Sequence, residues 1–153
     1  MLEAFKIVEL AAQAVACIHL NVPATQIQTV MGPGIQELYA ALKEQGVQPT
    51  GPWFTHHLRR PAETFDFDIC VPVQAAVKEQ GRVKPGTIRP MRAAQTVYQG
   101  GYEGLGNAWG EFLQQAGTAG HKAAPDLLET YLRGPETGAP PAEWRTQLTQ
   151  PLE

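Results

Sequence analysis

The sequence predicts an α+β fold built from two βαββ repeats with pseudo-twofold symmetry. In it, two antiparallel sheet halves form a concave ligand cleft, with the helices on the other face. Three observations predict it. Two amphipathic helices share one pattern, each follows a strand, and each precedes two more. Such a unit cannot bury both its helix and its sheet alone, so a duplicated copy completes the layers.

The first strand region spans Phe5 to Leu20 and ends Val15-Ala16-Cys17-Ile18-His19-Leu20. After Gly32-Pro33-Gly34, apolar residues fall at Ile35, Leu38, Tyr39 and Leu42, the i, i+3, i+4, i+7 spacing of a helix with one apolar face. Pro33 suits a first helical turn and Gly46 a helix end. Two strands follow, Trp53 to Arg59 and Phe65 to Val73. In the second, Phe65, Phe67, Ile69, Val71 and Val73 alternate with Asp66, Asp68, Cys70 and Pro72, the mark of a half-buried strand. Residues 74–90 are polar, end in Lys84-Pro85-Gly86-Thr87 and read as a linker.

The second copy runs in the same order. Ala93 to Gln99 is its first strand. After Gly100-Gly101-Tyr102-Glu103-Gly104, Leu105, Ala108, Trp109 and Phe112 mark its helix, with Gly117 at the end. Leu127 to Arg133 and Glu143 to Leu148 are its last two strands. The expected organisation is a single domain over residues 1–153, with repeat one at about 5–73 and repeat two at about 91–150. Twist should set the sheet halves at an angle, and a cleft between repeats suits a small ligand.

Composition narrows the function. The net charge of −3 leaves no basic field for a nucleic-acid backbone, so direct nucleic-acid binding is not expected. No apolar run approaches the ~20 residues of a membrane span. The start, Met1-Leu2-Glu3-Ala4-Phe5-Lys6, lacks a signal-peptide pattern, so the cytoplasm is the expected location. The cysteines, Cys17 and Cys70, both lie in apolar strand-like runs and read as buried, reduced thiols. His56 and His57 are neighbours on a strand and point to opposite faces, so they do not share one metal ion. Neither a metal nor a cofactor is expected. The glycine run before the second helix lacks a Gly-Lys-Ser/Thr ending, and Glu103 would repel a phosphate.

Glu129 is the candidate functional residue. Alternation places it on one strand face with Leu127, Tyr131 and Arg133. A carboxylate beside an aromatic ring inside a cleft can hold a cation or move a proton. On an open sheet face it would be a solvated glutamate. Trp109 lies on the apolar stripe of its helix and reads as core. Trp53 and Phe54 point to opposite faces, so at most one of them reaches a cleft.

Tyr98-Gln99-Gly100-Gly101-Tyr102-Glu103-Gly104-Leu105 followed by Ala108-Trp109 resembles the strand-to-helix signature of the GyrI-like small-molecule-binding family. Leu128-Glu129-Thr130-Tyr131-Leu132 before Gly134-Pro135-Glu136 is similar to its glutamate-bearing strand. Trp144 to Leu148 resembles its closing strand, and Phe65 to Val73 the end of its first half. The likeness covers nearly the whole chain. It departs at Tyr98, where the family often has histidine.

The same fold serves as the effector-binding domain of AraC- and MerR-type regulators. This chain resembles the stand-alone form, and an added DNA-binding domain is not expected. The resemblance implies a ligand-binding carboxylate at Glu129, with Tyr102, Tyr131 and Trp144 as cleft walls; Tyr98 and Trp53 are further ligand-binding candidates from their own places in the sequence. The implied partner is a hydrophobic or cationic small molecule. It also implies two alternatives. One is a cofactor-free hydrolase of cyclopropane-containing toxins using Glu129 and Tyr131. The other is a protein that guards gyrase.

Overall fold

The computed structural model describes residues 2–60 and 62–153. The elements follow as β1 (Lys6–Leu10), β2 (Gln13–Pro23), α1 (Ile27–Gln45), β3 (Phe54–His57), β4 (Thr64–Pro72), β5 (Lys84–Ile88), β6 (Met91–Gln99), α2 (Leu105–Thr118), β7 (Leu127–Arg133) and β8 (Arg145–Pro151). The fold is α+β, with antiparallel sheet and two βαββ repeats, β2-α1-β3-β4 and β6-α2-β7-β8. Two compact units result. One is Ala11–Pro90; the other joins the residues up to Leu10 to Met91–Glu153.

Both units use one strand order. The first reads β3-β4-β2-β5 and the second β7-β8-β6-β1. Each places the third strand of its repeat between the second and the first, then adds one strand beside the first. The added strands come from two stretches the sequence reads differently. Phe5 to Leu20 is not one strand region: it breaks at Ala11-Ala12, with β1 pairing to β6 and β2 pairing to β4 and β5. The polar stretch 74–90 contains β5. Neither short strand has an apolar pattern that names its partner, so pairing is decided by which sheet edge lies open.

In the Ala11–Pro90 unit, Ile18, Leu20, Phe67, Ile69 and Val71 meet Leu38, Ala41 and Leu42 of α1 in one apolar core. The alternation along β4 therefore faces the helix. Its polar partners face the other way, where His19 on β2 lies 3.0 Å from Asp66 and 2.8 Å from Asp68.

Helix α1 starts earlier than the sequence suggests. It begins at Ile27, so Pro33 lies inside it and not in its first turn. Proline forfeits a helical N–H bond, a real cost in a helix interior. The offset is burial. Ile27, Val30, Met31 and Ile35 pack against the core and extend one apolar stripe back past the proline. Gly34 sits on that stripe, and a Cβ there would lie 2.7 Å from Ile69 Cδ1, so glycine lets the helix approach the sheet. The helix ends as expected at Gly46, which adopts φ 68°.

In the second unit, Ala108, Trp109 and Phe112 of α2 pack on Ala94, Leu127 and Leu148. The helix runs one residue past Gly117, to Thr118, and Gly120 turns the chain with φ 89°. Among the described residues no helix is long and apolar enough to cross a membrane.

Candidate functional site

Strand β7 presents Leu127, Glu129 and Tyr131 on one face. In register, Glu129 stands opposite Leu148 and Tyr131 opposite Thr146 of β8. Opposed residues share a face, and Leu148 packs under α2. The repeat pattern predicts a cleft on the sheet face away from the helices; Glu129 instead points to the face that α2 covers.

Glu129 is buried, with 8% of its surface exposed. The indole Nε1–H of Trp109 donates to its Oε2 at 2.6 Å, and the Tyr131 hydroxyl donates to its Oε1 at 2.7 Å. Tyr131 is two residues along the strand, and its length lets the hydroxyl reach back. Both donors are neutral, and among the described residues no cation faces the carboxylate. Burial pushes its pKa up, and the bonds from Tyr131 and Trp109 pull it down; burial wins and the pKa is raised. An ionised carboxylate has about four acceptor positions, so two bonds leave capacity for a ligand.

Rings lead outward from this carboxylate. Tyr102, in the turn that opens α2, lies edge-on to Tyr131 at 5.9 Å and meets Trp144 at 4.8 Å. Trp144 is anchored by its Nε1–H, which donates to the Ala139 carbonyl at 2.9 Å. Tyr131 is buried, whereas Tyr102 and Trp144 are half-buried. The Tyr98 hydroxyl donates to the Gly101 carbonyl at 2.9 Å and so braces the turn that carries Tyr102. A side chain at Gly104 would collide with that hydroxyl, which accounts for the glycine.

Glu129, Tyr131, Tyr102 and Trp144 are thus brought together, with Tyr98 supporting them. Trp53 belongs to the other unit, where it is half-buried against the core of that unit. Arg133 does not continue the face of Glu129: the register shifts between Tyr131 and Arg133, and Arg133 is exposed, 3.7 Å from Glu143. A bulge of this kind turns the strand end out to solvent. Sequence reasoning missed Trp109 as a site residue. The signal was available: a buried indole N–H needs an acceptor, and the stripe of α2 offers none.

Replacing Trp109 by Phe tests this arrangement. The ring volume largely remains, but one bond to a buried carboxylate is lost. Stability should fall by about 1–3 kcal/mol at pH 8, and by less in mild acid where Glu129 is protonated. Urea denaturation at the two pH values measures both.

Residues 3–153 match the model of the GyrI-like small molecule binding domain. The chain belongs to this family. Solved structures agree on the fold. The C-terminal domain of EcmrR superposes with a TM-score of 0.87 at 22% identity, covering 98% of this chain and 97% of that one. EcmrR in a complex with DNA gives 0.85 at 23% identity; 98% of this chain is covered, and it spans 57% of that chain. SAV2435 bound to tetraphenylphosphonium gives 0.65 at 12% identity, with 99% and 94% covered. A hydrolase from Listeria innocua gives 0.70 at 14% identity, with 97% and 91% covered. At these identities the likeness is one of fold. No curated protein is a significant match. As a GyrI-like domain the chain is a small-molecule binder, and Glu129 with its rings is the candidate place within it.

Proposed function

We propose that this GyrI-like domain binds drug-sized aromatic ligands, preferentially lipophilic cations, with Glu129 as counter-charge. The observation that carries the reading is the buried carboxylate held only by neutral donors. Burying an anion without a cation is costly, and a ligand cation relieves that cost. Tyr131, Tyr102 and Trp144 would supply ring faces worth roughly 0.5–2 kcal/mol per good cation–π contact. That SAV2435 was solved with tetraphenylphosphonium suggests the probe.

Calorimetric titration with tetraphenylphosphonium at several pH values tests it. The ligand's charge is fixed, so only Glu129 must ionise. Affinity should rise with pH by up to about tenfold per unit, then level off above the raised pKa of Glu129. Glu129→Gln should weaken binding at least about tenfold, or ~1.4 kcal/mol, and abolish that pH dependence. No binding, or equal binding by the glutamine variant, sinks the proposal.

A second reading rests on the 2.7 Å bond between Tyr131 and Glu129. A tyrosine hydroxyl on a carboxylate of raised pKa is also a general acid–base pair, suited to opening an electrophilic ring with water. In that case Glu129→Gln retains substrate binding and loses turnover.

A further inference from the structure

Two cysteines stand opposite each other on neighbouring strands of the Ala11–Pro90 unit. Cys17 on β2 and Cys70 on β4 are register partners. Whether such a pair can be joined depends on its place in the ladder. Antiparallel pairs alternate between hydrogen-bonded and non-hydrogen-bonded, and only the latter bring the Cα atoms to ~4.5 Å with the side chains closest.

The ladder fixes the type. The Val73 N–H donates to the Ala14 carbonyl at 3.0 Å, so Ala14 and Val73 form a bonded pair. The next pair, Val15 and Pro72, is then non-bonded. Proline has no N–H to give, and its carbonyl turns away from β2 to accept from the Thr50 N–H at 2.9 Å. One step on, Ala16 and Val71 are bonded. Cys17 and Cys70 are therefore a non-bonded pair. Its Cα separation of ~4.5 Å falls within the range disulfides span, about 4.4–6.8 Å.

The environment agrees. Both cysteines are free. Among the described residues their polar contacts are long ones, from Cys17 Sγ to the Lys84 carbonyl at 3.5 Å and from Cys70 Sγ to the Asp68 carbonyl at 3.9 Å. Cys70 is buried and Cys17 half-buried. Gly86, on edge strand β5, lies against Cys17: a Cβ there would come within 3.2 Å of its Sγ, so the bare glycine leaves that thiol uncrowded.

We propose that Cys17 and Cys70 form a redox-active pair that closes a cross-strand disulfide. The oxidant is a small disulfide such as oxidised glutathione. The Cys17 thiolate attacks one of its sulfurs, forming a mixed disulfide and releasing one glutathione thiolate. The Cys70 thiolate then attacks Cys17 Sγ and expels the second glutathione. The two protein protons end on the two released thiols, and two electrons pass to the oxidant. Burial pushes the Cys17 thiol up to about 11, with Asp68 adding and Lys84 opposing, and pushes the more deeply buried Cys70 thiol well above its ordinary value, so both steps are slow. The bond would staple β2 to β4 and close a long loop, which constrains the unfolded chain.

The test is to equilibrate the folded protein with oxidised glutathione, quench by alkylation in denaturant, and weigh the intact chain. The proposal expects both thiols to vanish with a loss of two hydrogens per monomer. The melting temperature should rise by on the order of 10 °C, reversibly with dithiothreitol. Cys17→Ser should leave Cys70 unable to close any internal bond; Cys70→Ser should stop at the Cys17 mixed disulfide. Persistent mixed disulfides in the wild type, intermolecular dimers, or two thiols still alkylated at equilibrium would overturn it. Binding at Glu129 plays no part in this readout, so the two proposals fail separately.

Discussion

Replacing Glu129 by glutamine should stabilise the protein above neutral pH and have little effect in mild acid. The amide fits the same fork, with its oxygen accepting from Trp109 while its NH2 donates to the Tyr131 oxygen. What disappears is the buried charge. Because burial raises the pKa of Glu129 above 4.5, the native state holds a proton that the unfolded chain gives up within that window. Wild-type stability therefore falls as pH rises from 4.5 through the raised pKa, and levels off above it. The variant escapes this loss. A gain of about 1–3 kcal/mol at pH 8 is expected, with each kcal/mol worth roughly 2–4 °C in Tm. Thermal melts of both proteins from pH 4.5 to 8.5 measure it. A variant less stable than wild type at pH 8, or a gap that ignores pH, would show that the carboxylate is held more favourably than its burial implies.

His57 should act in the opposite direction. It is buried on the helix side of its unit, stacked on Phe67 at 5.1 Å and edge-on to Phe65 at 5.8 Å, and its Nδ1 has no hydrogen-bond partner among the described residues. Burial, with a smaller push from His56, lowers its pKa from 6.5 to about 4. As pH falls through that window the unfolded chain takes up a proton that the native chain refuses. Stability is intact above pH 6.5 and lost progressively toward pH 4, by on the order of 3 kcal/mol. His57→Phe keeps the aromatic packing and removes the titration. Its advantage over wild type should grow from near zero at pH 7 to a few kcal/mol at pH 4. Urea denaturation across that range decides it, and parallel curves would rule the account out.

His57 and Glu129 lie on corresponding strands of the duplication, one step apart on the same face. In each repeat a bridge precedes the pairing, Pro49 with Val73 and Ala123 with Leu152. Counted from those bridges, Thr55 opposite Ile69 corresponds to Glu129 opposite Leu148, and His57 opposite Phe67 corresponds to Tyr131 opposite Thr146. The scaffold was copied and the chemistry was not. At these positions the second copy pairs a carboxylate with a tyrosine donor, where the first has threonine and histidine.

Much of this was legible from periodicity. The stripe Leu105, Ala108, Trp109, Phe112 named α2, and the alternation from Phe65 to Val73 named β4 and its buried face, because one-sided burial leaves a regular trace. The family resemblance, and not periodicity, picked out Tyr102, Tyr131 and Trp144 beside Glu129. The start of α1 was misread because Pro33 is local punctuation, and its cost is offset by burial of residues far away in sequence. The partners of β1 and β5 were not legible at all: a short edge strand carries no record of the edge it joins.

By itself, then, the sequence determined the α+β class, the duplication and the strand that bears Glu129. Each follows from hydrophobic period and turn chemistry, which are local properties. Only the tertiary structure decided that Glu129 faces α2, that Trp109 is its hydrogen-bond donor and that Cys17 stands opposite Cys70. Those facts depend on strand register and on which helix covers which face, and both are set by pairings between distant segments of the chain.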